Sequence, residues 1–344
     1  MSEVLEFRSD NSAGVAPEIL HALSQANHGS ALAYGKDECT EQLRVAVAQV
    51  FENPNVSVFP VVTGTAANAI GLSAMCQPWA AVLCHETAHI LRSEGGATSM
   101  FGSGVVMRGL PGDNYLLDEA GVEHAFATTR WDDAHHSQPA VLSLTNPTDL
   151  GSVYPLQRIR DLSSLAKARG LRVHMDGARI ANAIDRLGCQ PADLTWRAGV
   201  DMLSLGATKN GVMTADAIIC FDEQMSDSLR FRLKRAGQVA SKMRFQSVQL
   251  LAYLSDGLWL RLAKNANRAM QRLAHGLSEL GFEFLVTPEV NMAFVKVPEG
   301  LADSLEHQGV LFYRTAPGII RLVTSFQTTE ENVDRTLEIF TKSV

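Results

Sequence analysis

The stretch Leu171-Arg172-Val173-His174-Met175-Asp176-Gly177-Ala178-Arg179 decides the fold when it is set beside Asp201-Met202-Leu203-Ser204-Leu205-Gly206-Ala207-Thr208-Lys209. Each contains an apolar run of strand length that ends in a residue with reactive chemistry. Between them, Ala178–Leu187 carries apolar residues at helical spacing. A strand, a crossover helix and a second strand take about 30 residues, and the crossover makes the two strands parallel. Asp176 and Lys209 are then expected at the same carboxyl edge of one sheet, which is where open α/β sheets place their ligands.

The same alternation extends outward through most of the chain. Strands are predicted at Val56–Val62, Ala80–Cys84, Val105–Leu110, Ala140–Thr145, Leu171–Met175, Met202–Leu205 and Ala217–Phe221. Helical patterns occupy Thr40–Phe51, Ala66–Cys76, Leu156–Arg169 and Gln224–Leu233. Strands alternating with helices argue for an α/β fold with a mainly parallel, seven-stranded sheet. The texture changes after about residue 245. A long helical region, Ser247–Leu280, is interrupted near Asp256-Gly257. It leads to short apolar segments at Glu283–Val286, Met292–Val297 and Ile319–Thr324, a helix around Leu301–His307, and a last helix from Glu330. The expected division is a large domain over residues 1–245, with an N-terminal arm, and a small α+β domain over 246–344.

Composition narrows the function classes. The 344 residues are 46% hydrophobic, enough for a large core, and the net charge of −7 comes from interspersed acids and bases. That balance excludes a nucleic-acid or anionic-membrane surface as the expected partner. The five cysteines, Cys39, Cys76, Cys84, Cys189 and Cys220, form no C-x-x-C pair. No apolar run reaches the length of a membrane span, and no secretory signal pattern opens the chain, so a cytoplasmic protein is expected.

Several further groups carry chemistry. Thr63-Gly64-Thr65-Ala66-Ala67-Asn68 follows a strand and opens a helix. Glycine admits close backbone approach, and a helix N-terminus offers free N–H groups with a favourable dipole, so Gly64 and Thr65 suit a phosphate. The blander reading is an ordinary capped turn. Neither the dinucleotide nor the nucleoside-triphosphate glycine spacing is present. Cys84-His85-Glu86-Thr87-Ala88-His89 contains H-E-x-x-H. On one helix, His85 and His89 would share a face and suit zinc. The motif, however, follows a strand directly and is cut short by Gly95-Gly96. Arg321 lies among apolar residues on a strand, where it is either salt-bridged or placed for a carboxylate. Among the lysines, Lys36, Lys167, Lys234 and Lys242 lack the context of Lys209, which follows a buried strand amid small residues. An amine desolvated there is reactive.

A lysine amine and an aspartate at one sheet edge are what pyridoxal 5′-phosphate (PLP) requires: Lys209 for a Schiff base, Asp176 to keep the pyridine nitrogen protonated. Together with Arg8-Ser9-Asp10-Asn11, Tyr34-Gly35, His89 with Glu94-Gly95-Gly96, Lys242-Met243-Arg244 and Arg321-Leu322-Val323-Thr324, these segments resemble the low-specificity L-threonine aldolases. The most specific string is His174-Met175-Asp176-Gly177-Ala178-Arg179. These are fold-type I PLP enzymes with the aspartate-aminotransferase-like fold, and the resemblance spans nearly the whole chain. It implies cleavage of L-threonine, L-allo-threonine and related β-hydroxy-α-amino acids to glycine and an aldehyde. It further implies Lys209 as the Schiff-base lysine, Asp176 as the ring-nitrogen partner, Gly64 and Thr65 as phosphate binders, and His89 as the ring-stacking residue. Arg179 falls beside the ring hydroxyl and substrate carboxylate, while Ser9 and Arg321 match carboxylate-binding positions. Arg244 matches a residue reaching a neighbouring subunit's phosphate, and Tyr34 lies where the family builds its subunit-crossing site. A homotetramer assembled from close dimers is implied.

Two departures concern the base that takes the β-hydroxyl proton. Many relatives carry a second histidine where this chain has Asn146-Pro147-Thr148-Asp149-Leu150-Gly151, and His85 has no clear family counterpart. His89, His85 or an ordered water remain candidates. The alternatives are another PLP β-eliminating lyase or an aminotransferase on the same scaffold, a PLP-binding regulatory module, or a zinc hydrolase built on H-E-x-x-H.

Overall fold

The computed structural model describes residues 4–343. Its strands are β1 (Leu5–Glu6), β2 (Ser57–Val61), β3 (Ala80–His85), β4 (Val106–Leu110), β5 (Gln138–Thr145) and β6 (Arg172–Gly177). They continue with β7 (Met202–Leu205), β8 (Asp216–Cys220), β9 (Met292–Lys296), β10 (Val310–Leu311), β11 (Tyr313–Ala316) and β12 (Ile319–Val323). The seven from β2 to β8 form one sheet in the order β2-β8-β7-β6-β5-β3-β4. Only β8 runs antiparallel to its neighbours, so the sheet is mainly parallel. Residues of β3, β7 and β8 are buried at every position, as expected of strands covered on both faces by helices.

The register brings the chemistry to one edge. Thr145 pairs with Asp176, and Asp176 with Ser204, so the carboxyl ends of β5, β6 and β7 lie side by side. Lys209 sits on the 3-10 turn Thr208–Asn210, just past the end of β7. The helix Gly64–Met75 starts at the same edge, after β2, and packs across β7 and β8. Alanine-rich and buried on nearly every side, it approaches so closely that a Cβ on Gly71 would lie 2.9 Å from Met202 Sδ.

After residue 245 the chain leaves the large sheet. The expected long helix is two helices, Arg244–Leu254 and Leu258–Glu279, parted by the turn Ser255–Gly257, where Asp256 takes a φ of 51°. Leu258, Trp259 and Leu262 of the second helix pack in the main core. Its far half, Met270, Leu273 and Leu277, packs instead against Val295, Leu322 and Phe340. There β11, β12 and β9 form a small antiparallel sheet. The segment Glu283–Val286 is not a strand of that sheet, since only Phe284 bridges to Val295. The N-terminal strand joins this end of the molecule: β1 pairs with β10, and Leu5 and Phe7 are buried in the same cluster.

Candidate active site

A cleft of ≈ 290 Å³ opens at the carboxyl edge of the large sheet, with Asp176, Arg179, Lys209 and His89 on its walls and Gly64 and Thr65 at one end. Its size is close to the lower range for small-molecule sites. Thr63 caps the helix Gly64–Met75, its side chain accepting from Ala66 N at 3.1 Å. The first amides of that helix therefore face the cleft without intrahelical partners. Thr145 Oγ1, also on the wall, is buried with no hydrogen-bond partner.

Asp176 is buried and fixed by both oxygens. Asn68 Nδ2 donates to its Oδ2 at 3.0 Å, and Ala178 N donates to Oδ1 at 3.0 Å. The same Asn68 amide donates to Glu94 Oε1 at 2.8 Å, and His89 Nδ1 donates to that oxygen at 2.9 Å. A continuous chain, His89–Glu94–Asn68–Asp176, thus links two walls of the cleft. The bond to Glu94 outweighs burial and raises the His89 pKa, favouring the imidazolium. Beneath Asp176 on the same face of β6, His174 is held between Ser143 Oγ at 2.9 Å and Ser204 Oγ at 3.1 Å. Complete burial takes its pKa down to about 4, so it is a neutral structural support.

Lys209 is partly buried, and the neighbouring Arg179 guanidinium, followed by desolvation, lowers its pKa. Arg179 is anchored by a bidentate pair with Asp10, Nε to Oδ2 at 2.6 Å and Nη2 to Oδ1 at 3.0 Å. Burial pushes Asp10 up, but Arg179 more than offsets it and the carboxyl stays below its usual range. The cleft thus combines a fixed carboxylate, a depressed amine, an anchored guanidinium and an anion-favouring helix end.

A profile of the Beta-eliminating lyase family matches residues 6–299. The low-specificity L-threonine aldolase of Pseudomonas sp. (strain NCIMB 10558) is 38% identical over 330 residues, which cover 95% of this chain and 94% of that one. The chain belongs to the low-specificity L-threonine aldolases. The aldolase of Escherichia coli K12 is 24% identical over 96% of both chains. The solved Leishmania major threonine aldolase superposes with a TM-score of 0.91 at 27% identity, covering 98% of each chain. An aspartate aminotransferase of Thermus thermophilus, at 16% identity and a TM-score of 0.73, shares the fold. The chain is therefore a lyase-family protein of the aspartate-aminotransferase-like fold, and enzymes of this kind are PLP-dependent.

The aldolase motifs do not all meet in the cleft. Lys209, Asp176, His89, Gly64, Thr65 and Arg179 line it. Ser9 lies apart, its Oγ accepting from Asn11 N at 3.2 Å to cap a short 3-10 turn. Arg321 donates through Nη2 to Arg8 O at 3.0 Å and stacks 5.2 Å from the Tyr313 ring, while its Nε is buried without a partner. Among the described residues it has no carboxylate partner, and burial, then Arg179, lower its pKa. Tyr34 is 55% exposed under the Lys234 ammonium, and Arg244 donates to the His28 and Gly29 carbonyls at 3.3 Å. Both lie outside the cleft of their own chain. His85 is interior, with Nδ1 2.8 Å from Thr87 Oγ1 and its ring against Tyr115. The Gly112 backbone favours its protonated form, yet burial outweighs that and lowers its pKa, and Nε2 closes no hydrogen bond.

The zinc alternative fails on geometry. His85 ends β3 and His89 begins the one-turn helix His89–Arg92, so the H-E-x-x-H residues share no helical face. No group of three or more His, Cys, Asp or Glu side chains among the described residues is arranged for a metal. The sequence reading assigns no role to Asp149 or Asp216, and takes Asn68, Asp10 and Glu94 only as parts of motifs. The one signal for Asp149 was that it stands in the segment where relatives carry a histidine.

Proposed function

We propose that the protein catalyses retro-aldol cleavage of L-threonine, L-allo-threonine and related L-β-hydroxy-α-amino acids to glycine and an aldehyde, with PLP bound at Lys209. The observation that carries this reading is the meeting of Lys209 and Asp176 in one cleft whose far end is a capped helix N-terminus. The residues present fit the cofactor. Lys209 offers an amine of lowered pKa, Asp176 offers a carboxylate pinned in place for a ring nitrogen, and Gly64 and Thr65 offer amides for a phosphate. His89, steered by Glu94, is the residue to lie on the ring. Bound PLP supplies the sink for the electron pair released when Cα–Cβ breaks.

The chain's own part is binding and orientation. Arg321, a cation with an unpartnered buried Nε, and Arg179 hold the substrate carboxylate, with Ser9 beside the same N-terminal segment. That grip sets which bond at Cα faces the sink. Tyr34 and Arg244, outside the cleft of their own chain, are assigned to the site of a neighbouring subunit in a homotetramer. Residues 1–245 are read as the cofactor-holding unit and 246–344 as the smaller unit that carries Arg321. A cytoplasmic setting agrees with five free cysteines, of which Cys76 and Cys84 are pushed by burial up to about 12. No helix among the described residues is long and apolar enough to cross a membrane.

The test is an assay of the purified protein, loaded with PLP, on L-threonine, L-allo-threonine and their D-isomers. Aldehyde release from the L-isomers, with a cofactor band at roughly 400–430 nm, is expected. Ammonia and a keto acid instead of glycine would assign a β-eliminating activity.

A further inference from the structure

We propose that Asp149 is the catalytic residue that takes the β-hydroxyl proton of the substrate, an inference that rests on the aldolase reading above. Asp149 follows β5 on a turn that is internally fixed: Gly151 N donates to Thr148 O at 2.9 Å, and Ser152 N to Thr148 Oγ1 at 3.1 Å. Its side chain lines the cleft with Asp176, Arg179 and Lys209. One oxygen is tethered, since His89 N donates to Oδ2 at 3.0 Å. The other, Oδ1, makes no hydrogen bond among the described residues. A carboxylate held by one oxygen, with the second free on the cleft wall, has the form of a positioned base.

The other candidates are already engaged. Asp176 accepts with both oxygens. Glu94 accepts from Asn68 and His89 through Oε1, and its Oε2 is buried. Asp216 accepts from Ala207 N and Thr208 N through Oδ1 alone, and its other oxygen, Oδ2, lies beside Gly64 at the helix N-terminus assigned to the phosphate, away from the substrate. His89 donates its Nδ1–H to Glu94 in a hydrogen bond and is biased toward the charged form, which makes it a poor base. His85 does not line the cleft. The charged groups that act most on Asp149 are Asp176, His89, Arg179 and Lys209, and Arg321 is coupled to it as well. Burial, then the Asp176 carboxylate, raise its pKa against the pull of the cationic groups. A carboxyl shifted toward the working pH is the stronger base.

The step balances. The O–H bond on Cβ breaks as its proton passes to Asp149, the oxygen lone pair closes the aldehyde C=O, and the Cα–Cβ pair stays with the glycine fragment. Cα then gains one proton, so the net change moves one hydrogen from oxygen to Cα, with no oxidant or co-reactant. Glycine itself has no β-hydroxyl, which separates this residue's work from that of the rest of the site.

The holoenzyme and its Asp149→Asn variant are compared in heavy water, in threonine cleavage and in exchange of the glycine α-hydrogen followed by NMR. Cleavage is expected to fall about 10²–10⁴-fold while glycine exchange and the cofactor band persist. The acidic limb of kcat/KM in the wild type, where Asp149 becomes protonated, should vanish in Asp149→Asn and return, displaced, in Asp149→Glu. Cleavage by Asp149→Asn close to the wild-type rate overturns the proposal alone. So does a parallel loss of glycine exchange. A wild-type protein that neither exchanges glycine nor shows the band overturns the cofactor reading, and this inference with it. Should Asp149→Asn fail to fold, Asp149→Ser is put through the same two reactions: lost cleavage with retained exchange supports the proposal, and retained cleavage or lost exchange overturns it.

Discussion

Arg321 and His89 show how much a single side chain depends on what surrounds it. Arg321 is a partly buried cation without a carboxylate partner among the described residues, held by one backbone carbonyl and a tyrosine face. Such a group is positioned for a guest anion rather than for stability. Arg321→Ala is expected to raise the KM for threonine by tens to thousands of fold, corresponding to about 2–5 kcal/mol, with PLP occupancy unchanged. Titration of both ligands into the variant checks this, and loss of PLP would make Arg321 a cofactor or structural residue. His89 gives a pH prediction with a definite sign. Its folded pKa is raised by Glu94, so its contribution to stability is complete below the unfolded value, about 6.5, and fades as pH rises through the folded value. Melting curves of the wild type and His89→Asn across pH 5–9, roughly the range histidine titrates in, should differ most at the acidic end. A gap that widens with pH would contradict the Glu94 pairing.

At the level of elements, the sheet was legible and the polar network was not. All seven strands of the large sheet are legible as short apolar runs, although β8 is antiparallel and only Leu110 of β4 is buried, and the positions of Asp176 and Lys209 follow from them. Tyr313–Ala316 was missed because the strand is exposed along its whole length and carries no apolar pattern. Glu283–Val286, a short apolar segment in the sequence, makes only one isolated bridge, Phe284 to Val295. Asn68 reaches Asp176 across 108 positions, and Arg179 reaches Asp10 across 169, so neither bond has a local signature. One element contact is tight enough to predict from. A Cβ on Gly206 would lie 2.2 Å from Ala178 O, because the turn carrying Lys209 is pressed against the end of β6. Gly206→Ala should therefore cost about 1–3 kcal/mol or more in denaturant unfolding and displace Lys209. Unchanged stability together with unchanged activity would show that this approach is not needed.

For the whole molecule, the homotetramer proposed above would complete each site with groups from a neighbouring chain. The cleft holds Lys209 and Asp176, but Tyr34 and Arg244 lie outside it in their own chain. If a neighbour supplies them, Lys209→Ala and Arg244→Ala subunits are each defective alone, yet a hybrid contains one intact site. Unfolding and refolding the two variants together should recover measurable threonine cleavage that neither shows when refolded by itself. No recovery, in a mixture proven to contain hybrids by mass, would put Arg244 and Lys209 to work within one chain. The small C-terminal unit bears on the same question, because β1 and β10 tie the N-terminal segment, with Ser9 and Asp10 just after it, to the unit that carries Arg321.

The most direct measurement is the covalent position of the cofactor. The PLP-loaded protein is reduced with borohydride, digested, and its peptides mapped by mass. One pyridoxyl adduct is expected, on Lys209, lost in Lys209→Ala along with the visible band. An adduct on Lys36, Lys167, Lys234 or Lys242, or no adduct in a protein that still cleaves threonine, would contradict the assignment of the cofactor to Lys209.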